Sequence, residues 1–401
     1  MKLKALMAVI VVIGLAGLGM AQQTEAAATT QAAVSAQAPA ATQELTPAKD
    51  PLSAQDPSPA QDPPPEPQAG PAPLNPTPVE LSGVPILTGY SSFTANFEPG
   101  KQVLGPTIAP IILIPIGKRW LIEAEGEFEG EYEHMTGEPW EHAWGKGVEY
   151  LQADLFINRH LTLVAGRSLT PFGIFNERLH PSWIKNLQTA PLIMPIGTGS
   201  GNGAQLRGGL SLSPKVNFNY AAYFSAASTV RAFEAERVAG TRMSLFFPDQ
   251  RLEIGGSYQR NLQDEHFNTW GMDFTWQAKP IPLDIHAEYA HSPEMGNGYW
   301  IEAAYRTRQW RGKFFRRSQA VLRMEQYFTP AMGMGGGGGG HGEELPDVNT
   351  QRFMFGWNYY FNDALKLSTA YGRNFSSDGD RNIWSIGLSY RWFFGLGGKQ
   401  K

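Results

Sequence analysis

The chain has 401 residues, a formal net charge of −4 and no cysteine. Without cysteine it has no disulfide, no thiolate metal site and no lipid anchor attached through a cysteine. The slightly negative net charge and the pI near 6.1 do not suggest a nucleic-acid-binding protein.

The first residues have the features of a secretory signal peptide. Lys2 and Lys4 give a charged start, residues 6–18 are apolar, and a small-residue cleavage site ends at Ala21. The apolar run is too short to cross a bilayer as a helix. We therefore predict a signal peptide over residues 1–21 and an exported mature chain.

The next segment, residues 22–79, is rich in proline, alanine and glutamine. It has almost no aromatic or β-branched residues, so it cannot bury enough apolar surface to form a core. We predict that it is a disordered periplasmic linker.

From residue 80 to residue 395 the pattern changes to alternating strands. Its clearest example is residues 120–133, where glutamate stands at every second position and Ile122, Phe128 and Tyr132 stand between. A period of two places one class of residue on each face of a β-strand. One anionic and one apolar face fit a soluble sandwich, or a membrane barrel whose apolar face meets lipid and whose charged face meets a wet lumen.

The strand count favours the barrel. Sixteen strands exceed what one sandwich usually holds, and an even number is what bacterial barrels require. We predict an all-β fold: a transmembrane antiparallel β-barrel of about sixteen strands that follows the disordered N-terminal segment. The predicted strands cover residues 86–96, 107–115, 119–134, 146–157, 160–169, 203–212, 216–227, 236–247, 250–261, 265–277, 281–291, 296–308, 313–328, 350–361, 364–374 and 380–394.

The connections and the last strand support this orientation of the chain. Turns after even-numbered strands are tight and connections after odd-numbered strands are longer, which is typical of periplasmic turns and outer loops. Both termini are therefore predicted to be periplasmic. The last strand ends in aromatics up to Phe394, like the strand that outer-membrane barrels present to the barrel assembly machinery, and residues 396–401 form a tail.

Large apolar side chains also recur at every second position of other strands, opposite polar ones. We predict that these rows face lipid and that aromatics at the strand ends form interfacial girdles. The rows are Trp270, Met272, Phe274 and Trp276 on one strand, Phe353, Phe355, Trp357, Tyr359 and Phe361 on another, and Trp384, Ile386, Leu388, Tyr390, Trp392 and Phe394 on the last.

The longest ordered-looking connection, residues 170–203, follows the fifth strand. It includes Pro-Phe-Gly-Ile-Phe and Pro-Leu-Ile-Met-Pro-Ile and is too apolar to remain in water. A sixteen-stranded barrel is wide enough for an aqueous channel. We predict that this loop folds into the barrel as a constriction; packing on the rim or at a subunit interface is the alternative.

The residues around this loop resemble a known family. Residues 163–174 run from a strand ending in Gly-Arg into Pro-Phe-Gly-Ile, and residues 201–209 read Gly-Asn-Gly-Ala-Gln-Leu-Arg-Gly-Gly. Both segments resemble the porin O/P family of Gram-negative outer-membrane porins, most clearly between residues 161 and 211. The resemblance implies a sixteen-stranded barrel and a homotrimer. Its phosphate-selective members carry arginine ladders with lysines where this chain has a glutamate row.

Charged residues of the strands are assigned to the lumen, because Arg or Lys facing lipid costs about 2–4 kcal/mol near the midplane. The glutamate row would either pair with neighbouring arginines as plain wall or favour cations. We predict no cofactor and no dedicated metal site. The candidate pore-lining and selectivity residues are Glu123, Glu125, Glu127, Glu129, Arg207, Asp273, Asp284, Glu288, Arg323 and Arg352.

Two further patterns carry little functional weight. Asp284, His286 and Glu288 share one strand face, but residues two apart on a strand are about 7 Å from each other, too far for a direct relay. No nucleophilic serine motif accompanies them, so we do not predict an enzyme. The polyglycine segment with His341 is interpreted as an external flexible loop rather than a metal site.

The sequence thus predicts a Gram-negative outer-membrane porin through which small hydrophilic solutes or ions diffuse passively. The expected partners are these solutes, outer-membrane lipid, two further copies of the chain and the barrel assembly machinery, and not nucleic acid. The alternative is a non-conducting outer-membrane barrel that serves as an envelope tether or adhesin, with the long loop as a plug.

Overall fold

The computed structural model of this protein describes residues 83–263, 266–330 and 344–396. The predicted signal peptide and linker, the polyglycine segment around His341 and all but the first residue of the predicted tail lie outside these ranges.

Sixteen β-strands make up the described part of the chain, and they form one closed antiparallel sheet. The strands are β1 Ile86–Glu98, β2 Lys101–Ile116, β3 Trp120–Met135, β4 Glu141–Asn158, β5 Leu161–Leu169, β6 Ser200–Ser213, β7 Val216–Ala226, β8 Val238–Phe247, β9 Leu252–Asn261, β10 Asn268–Ala278, β11 Leu283–Ser292, β12 Gly296–Arg306, β13 Ser318–Phe328, β14 Thr350–Tyr360, β15 Leu365–Ser376 and β16 Arg381–Gly395.

The first and last strands close the barrel. Each strand pairs with its neighbour in sequence, and β1 pairs with β16 from Ile86↔Gly395 to Phe97↔Trp384. Closure leaves no free strand edge, so the backbone donors and acceptors of every strand can be satisfied within the sheet. The predicted antiparallel barrel of sixteen strands is confirmed.

Three strands begin five or six residues from their predicted starts, and one of them, β4, starts at Glu141 instead of residue 146. β2 starts at Lys101 instead of residue 107, because the strand continues through Pro106 and Pro110. Proline lacks an N–H, and the β2–β3 ladder skips these two positions while β1 still pairs with both. β13 starts at Ser318 instead of residue 313, because the preceding residues form a helical turn.

The prediction that tight turns follow even-numbered strands and long loops follow odd-numbered strands is only partly correct. β1 and β2 are joined by residues 99–100 and β11 and β12 by residues 293–295, although both connections follow odd-numbered strands. Residues 307–317, after the even-numbered β12, form a long connection with helical turns. The barrel end that holds the turns after even-numbered strands also holds the start of β1 and the end of β16; we call it the even-turn end.

Helices are short in the described residues. They are α1 (Phe175–Arg178) in the β5–β6 connection, α2 (Lys313–Arg316) in the β12–β13 connection, and 3-10 turns at Arg231–Phe233 and Thr307–Gln309. None of the helices in the described ranges is long and apolar enough to cross a membrane.

The two faces of the sheet differ as the period-two pattern predicts. On β10, Met272 is exposed while Asp273 is buried, and on β14, Phe355 is exposed while Arg352 is buried. On these strands the charged residue points into the barrel and the apolar residue points out. Members of all three predicted apolar rows are exposed on the outer surface: Trp270, Met272, Phe353, Phe355, Phe361, Trp384, Ile386, Leu388, Tyr390 and Phe394.

Candidate functional site

The candidate site is the barrel lumen together with the β5–β6 connection, residues 170–199, which we call the inner loop. Its predicted last residues, 200–203, belong instead to β6. Phe172, Phe175 and Ile193 of the loop are buried in one cluster with Trp300 and Tyr327 from the barrel wall. Burying these apolar side chains inside the barrel removes them from water, which stabilises the inward path of the loop.

A carboxylate on β11 holds the start of the inner loop. Glu288 accepts hydrogen bonds from the backbone N–H groups of Ile174 and Phe175 and, at 2.7 Å, from the indole Nε1 of Trp300. Gly173 just before them has φ +65°, and a Cβ there would lie 1.8 Å from Glu288 Oε1. The loop can approach this carboxylate only because residue 173 is glycine.

A buried ion cluster on β13 and β14 holds the return of the loop. Glu325 accepts from Arg323 Nε at 2.7 Å, from Arg352 Nε and Nη2 at 2.9 and 2.8 Å, and from the Leu192 N–H at 2.7 Å. The arginines also donate to the loop carbonyls: Arg323 to Thr189, at 2.6 Å, and Arg352 to the next residue, Ala190. The cluster therefore satisfies the hydrogen bonds of polar groups on both the wall and the loop, as buried charges require.

Two further contacts fix the middle of the loop. Lys366 Nζ on β15 donates to the carbonyls of Ser182, Trp183 and Lys185 at 3.1, 3.0 and 2.7 Å. The Trp183 ring meets the Tyr90 ring of β1 edge-on, with centroids 5.0 Å apart. The loop thus reaches across the lumen to the seam where the barrel closes.

Helix α1 is tied to the wall through its last residue. The Arg178 guanidinium forms a two-point ion pair with Glu253 on β9, at 2.8 and 2.9 Å. Glu253 also contacts Arg242 on β8, which pairs with Asp273 on β10 at 2.6 Å. This network continues the row of charged anchors beyond β11.

The charges that anchor the inner loop balance one another. They are five cations, Arg178, Arg242, Arg323, Arg352 and Lys366, and five anions, Glu253, Asp273, Glu288, Glu302 and Glu325. Cations engaged in this way are unavailable to neutralise other lumen charges. The side of the wall from β8 to β15 therefore contributes little net field from these residues.

The opposite side of the lumen is acidic. Glu123, Glu125, Glu127 and Glu129 lie on the inner face of β3, and Glu125 is only 1 % exposed whereas Glu129 is solvent-exposed. Tyr90 donates from its hydroxyl to Glu127 Oε1 at 3.1 Å. Oε1 of Glu125 accepts no hydrogen bond from the described residues.

A β-bulge adds another carboxylate to this surface. Glu125 pairs with Tyr150 and Gly126 pairs with Val148, so Glu149 is the extra residue on β4. A bulge interrupts strict alternation and redirects a side chain. Glu149 consequently lies beside Glu127 rather than on the outer face.

The acidic side outnumbers its cations. Among the residues that the structure describes, seven carboxylates lie here against three cations. Glu177 pairs with Arg207 at 3.3 Å, with 22 % and 37 % of their side chains exposed, so water reaches the gap between the loop and β6. The carboxylates are Glu123, Glu125, Glu127, Glu129, Glu149, Asp154 and Glu177; the cations are Arg167, Lys185 and Arg207.

One part of this surface has metal-ligand spacing. The ligand atoms of Glu127, Glu149 and the loop residue His180 all lie within 4.8 Å of one another. Two carboxylates and one imidazole form a donor set that zinc and related divalent ions accept. These three groups are close enough to share one cation, although the sequence did not predict a metal site.

The structure divides the predicted site residues into three groups. The four glutamates of β3 and Arg207 lie on the acidic side, whereas Asp273, Glu288, Arg323 and Arg352 belong to the loop anchors. Asp284 lies at the even-turn end, in a cleft with Arg251 and Arg306. Glu288 accepts hydrogen bonds from the backbone of the inner loop. The strand face that carries Asp284, His286 and Glu288 therefore anchors the loop through Glu288 and lines this cleft through Asp284.

Four of the acidic-side residues that sequence reasoning missed are Glu149, His180, Glu177 and Lys185. Glu149 breaks the period-two pattern of its strand, so only the bulge reveals that it points inward. The other three are in the inner loop, where no period predicts the direction of a side chain. Their positions follow from which wall groups anchor the loop.

No protein-family model matches the chain, and no curated protein matches it at a significant level of similarity. Among solved structures, the anion-selective porin from Comamonas acidovorans aligns at a TM-score of 0.50 and 10% identity, over 77% of this chain and 99% of that chain. OmpF of Salmonella typhi, in complex with daunomycin, aligns at 0.49 and 12%, over 77% and 98%. OprB of Pseudomonas putida aligns at 0.48 and 8%, over 78% and 94%. The first of these similarities establishes the fold alone: a closed barrel of the porin type.

Proposed function

We propose that this chain is a Gram-negative outer-membrane porin that passes small hydrophilic solutes or ions down their gradients. The supporting observation is a closed barrel whose outer surface is apolar and whose charged side chains point inward. A soluble protein buries its apolar side chains, whereas an apolar band around a polar lumen suits lipid outside and water inside. The predicted periplasmic termini, homotrimer and assembly-machinery contact are parts of this proposal.

The lumen charge favours cations over anions. The loop anchors balance at five against five, while the acidic side has seven carboxylates against three cations. A channel wall with an excess of one sign of charge concentrates counter-ions, because low-dielectric walls focus the field. The gap between the inner loop and the β3–β6 wall is where this excess acts. We therefore do not propose phosphate selectivity for this chain.

The test is a planar-bilayer recording of the refolded barrel across a KCl gradient. We expect stepwise openings and a reversal potential that indicates cation preference. The triple variant Glu123→Gln, Glu127→Gln and Glu129→Gln should shift that potential toward zero, and Glu138→Gln, an exposed glutamate in the β3–β4 turn, is the matched control. Anion preference, or cation preference unchanged in the triple variant, would overturn the assigned role of the acidic side.

A second candidate function is a non-conducting barrel that serves as an envelope tether or adhesin. It is favoured by the reach of the inner loop, whose contacts extend to β1, β6, β9 and each strand from β11 to β15. Deleting residues 22–78 separates the two candidates. A porin keeps its conductance after the deletion, whereas a tether has no conductance to lose and releases its partner.

A further inference from the structure

The β12–β13 connection, residues 307–317, is strongly basic. It has five cationic residues and no aspartate or glutamate, and each of the five is solvent-exposed. We call this segment the basic connector. Its cations are Arg308, Arg311, Lys313, Arg316 and Arg317.

Aromatic residues of the connector lie against the outer wall of the barrel. The Phe314 ring stacks on Tyr359 at 5.2 Å and on Trp357 at 6.0 Å, with interplanar angles of 13° and 3°. Both β14 residues belong to the row that points outward with Phe355. Trp310 packs near Trp357 as well, yet Trp310 and Phe314 remain 40 % and 51 % exposed.

The connector is therefore amphipathic. Its aromatic rings lie on the apolar outer wall, and its charged side chains lie beside them at the even-turn end. Arg317 Nη1 donates to the Phe361 carbonyl at 2.9 Å, which fixes the segment at the end of β14. Rings at an interface beside exposed Lys and Arg are the combination found in segments that lie in the headgroup layer of a membrane.

A cleft beside the connector lies at the mouth of the lumen, where the Arg306 guanidinium lies over the ring of Tyr360 at 4.3 Å. It has a volume of about 350 Å³, and four cations line it, with Asp284 as its one acidic lining residue. The cations are Arg251, Lys279, Arg306 and Arg308. Arg308 belongs to the connector, whereas Arg306 and Asp284 line the lumen side of the cleft, so the lipid-facing surface is that of the connector alone.

We propose that the basic connector binds an anionic phospholipid, with the phosphate on its exposed cations and the acyl chains along Trp310, Phe314 and the outer wall. This inference rests on the proposed function, because it requires the outer wall to face a bilayer. Charge complementarity selects the headgroup: basic residues next to a membrane attract anionic lipid. The rings favour a lipid over free phosphate, because phosphate has no apolar group that could pack against them.

The location agrees with the proposed orientation. The connector lies at the end that holds both ends of the barrel sheet, which is the predicted periplasmic side. That side of the barrel would meet a phospholipid leaflet, so phospholipid headgroups would lie next to the connector.

Native mass spectrometry of the full chain in detergent, with phosphatidylglycerol or phosphatidylcholine added, tests the proposal. We expect phosphatidylglycerol to be retained over phosphatidylcholine. The variant Arg311→Gln, Lys313→Gln and Arg316→Gln should weaken that preference by on the order of a hundredfold, since each of the three cations near an anionic surface contributes roughly fivefold. The matched control changes Arg231, Arg260 and Arg381, exposed arginines near the opposite end, to Gln.

Three results would overturn the proposal: an unchanged preference in the connector variant, an equal loss in the control, or full displacement of the lipid by millimolar inorganic phosphate. The last result would mean that the cations bind a free anion and the rings contribute nothing. Bilayer conductance of the same variants separates this inference from the porin proposal. If the barrel conducts but shows no headgroup preference, only the lipid-site proposal is refuted. If it neither inserts nor conducts, both the lipid-site and the porin proposals are refuted.

Discussion

The buried carboxylate Glu325 offers the sharpest test of how the inner loop is held. The change Glu325→Gln keeps the shape of the side chain and removes its charge. It leaves Arg323 and Arg352 buried next to Glu302, which contacts Arg323 at 3.6 Å. Removing one partner of a buried ion pair costs about 3–5 kcal/mol, because the remaining charges are uncompensated.

That cost should fall on the loop rather than on the barrel. The ladders of β13 and β14 remain intact, and the two arginines regain water if the loop leaves them. A cost of about 4 kcal/mol changes the equilibrium between docked and undocked loop by nearly a thousandfold. Hydrogen exchange of loop amides, above all that of Leu192, which donates to Glu325, should therefore accelerate strongly.

The assay is hydrogen exchange by mass spectrometry on residues 170–199, with single-channel conductance recorded in parallel. A released loop should give larger, noisier openings. Glu138→Gln serves as the isosteric control on the surface, and a double variant with Arg352→Gln should show a cost smaller than the sum of the single variants. If exchange and conductance match the parent in a folded barrel, the ion cluster does not hold the loop.

Two other substitutions test the site and the membrane face. Gly173→Ala should cost about 1–3 kcal/mol through its left-handed backbone and its clash with Glu288; faster exchange at the start of the inner loop checks this, and Gly145→Ala, in open strand, should change nothing. Leu388→Arg should cost about 2–4 kcal/mol in mid-membrane and Phe394→Arg near the strand end about 0–1, as measured by folding into lipid vesicles; equal costs at the two positions would contradict a lipid-facing row.

Much of the fold is predictable because a strand has a period of two. Alternation along residues 120–133 places the glutamates and the apolar residues on opposite faces, whatever the rest of the chain does. The same rule identified all sixteen strands and the outward rows. Helix α2 was missed, and it was read as the start of β13, because a short apolar-basic segment has no decisive period.

The partners of the lumen charges are not encoded in the local sequence. The sequence shows that Asp273, Glu288, Arg323 and Arg352 point inward, but not that they hold residues far away in the chain. Their partners are backbone groups of the inner loop or side chains on neighbouring strands, and no local pattern encodes such pairs. The same holds for Glu149, whose direction depends on a register shift between β3 and β4.

The sequence by itself determined which face of each strand is charged and which is apolar, and it predicted an inward path for the long loop. Those properties depend on local periodicity and on the free-energy cost of exposing apolar side chains to water. Only the tertiary structure decided which charges neutralise one another. Closing the sheet and folding the loop inside brings distant residues within hydrogen-bonding distance, so that one side of the lumen is balanced and the other remains acidic.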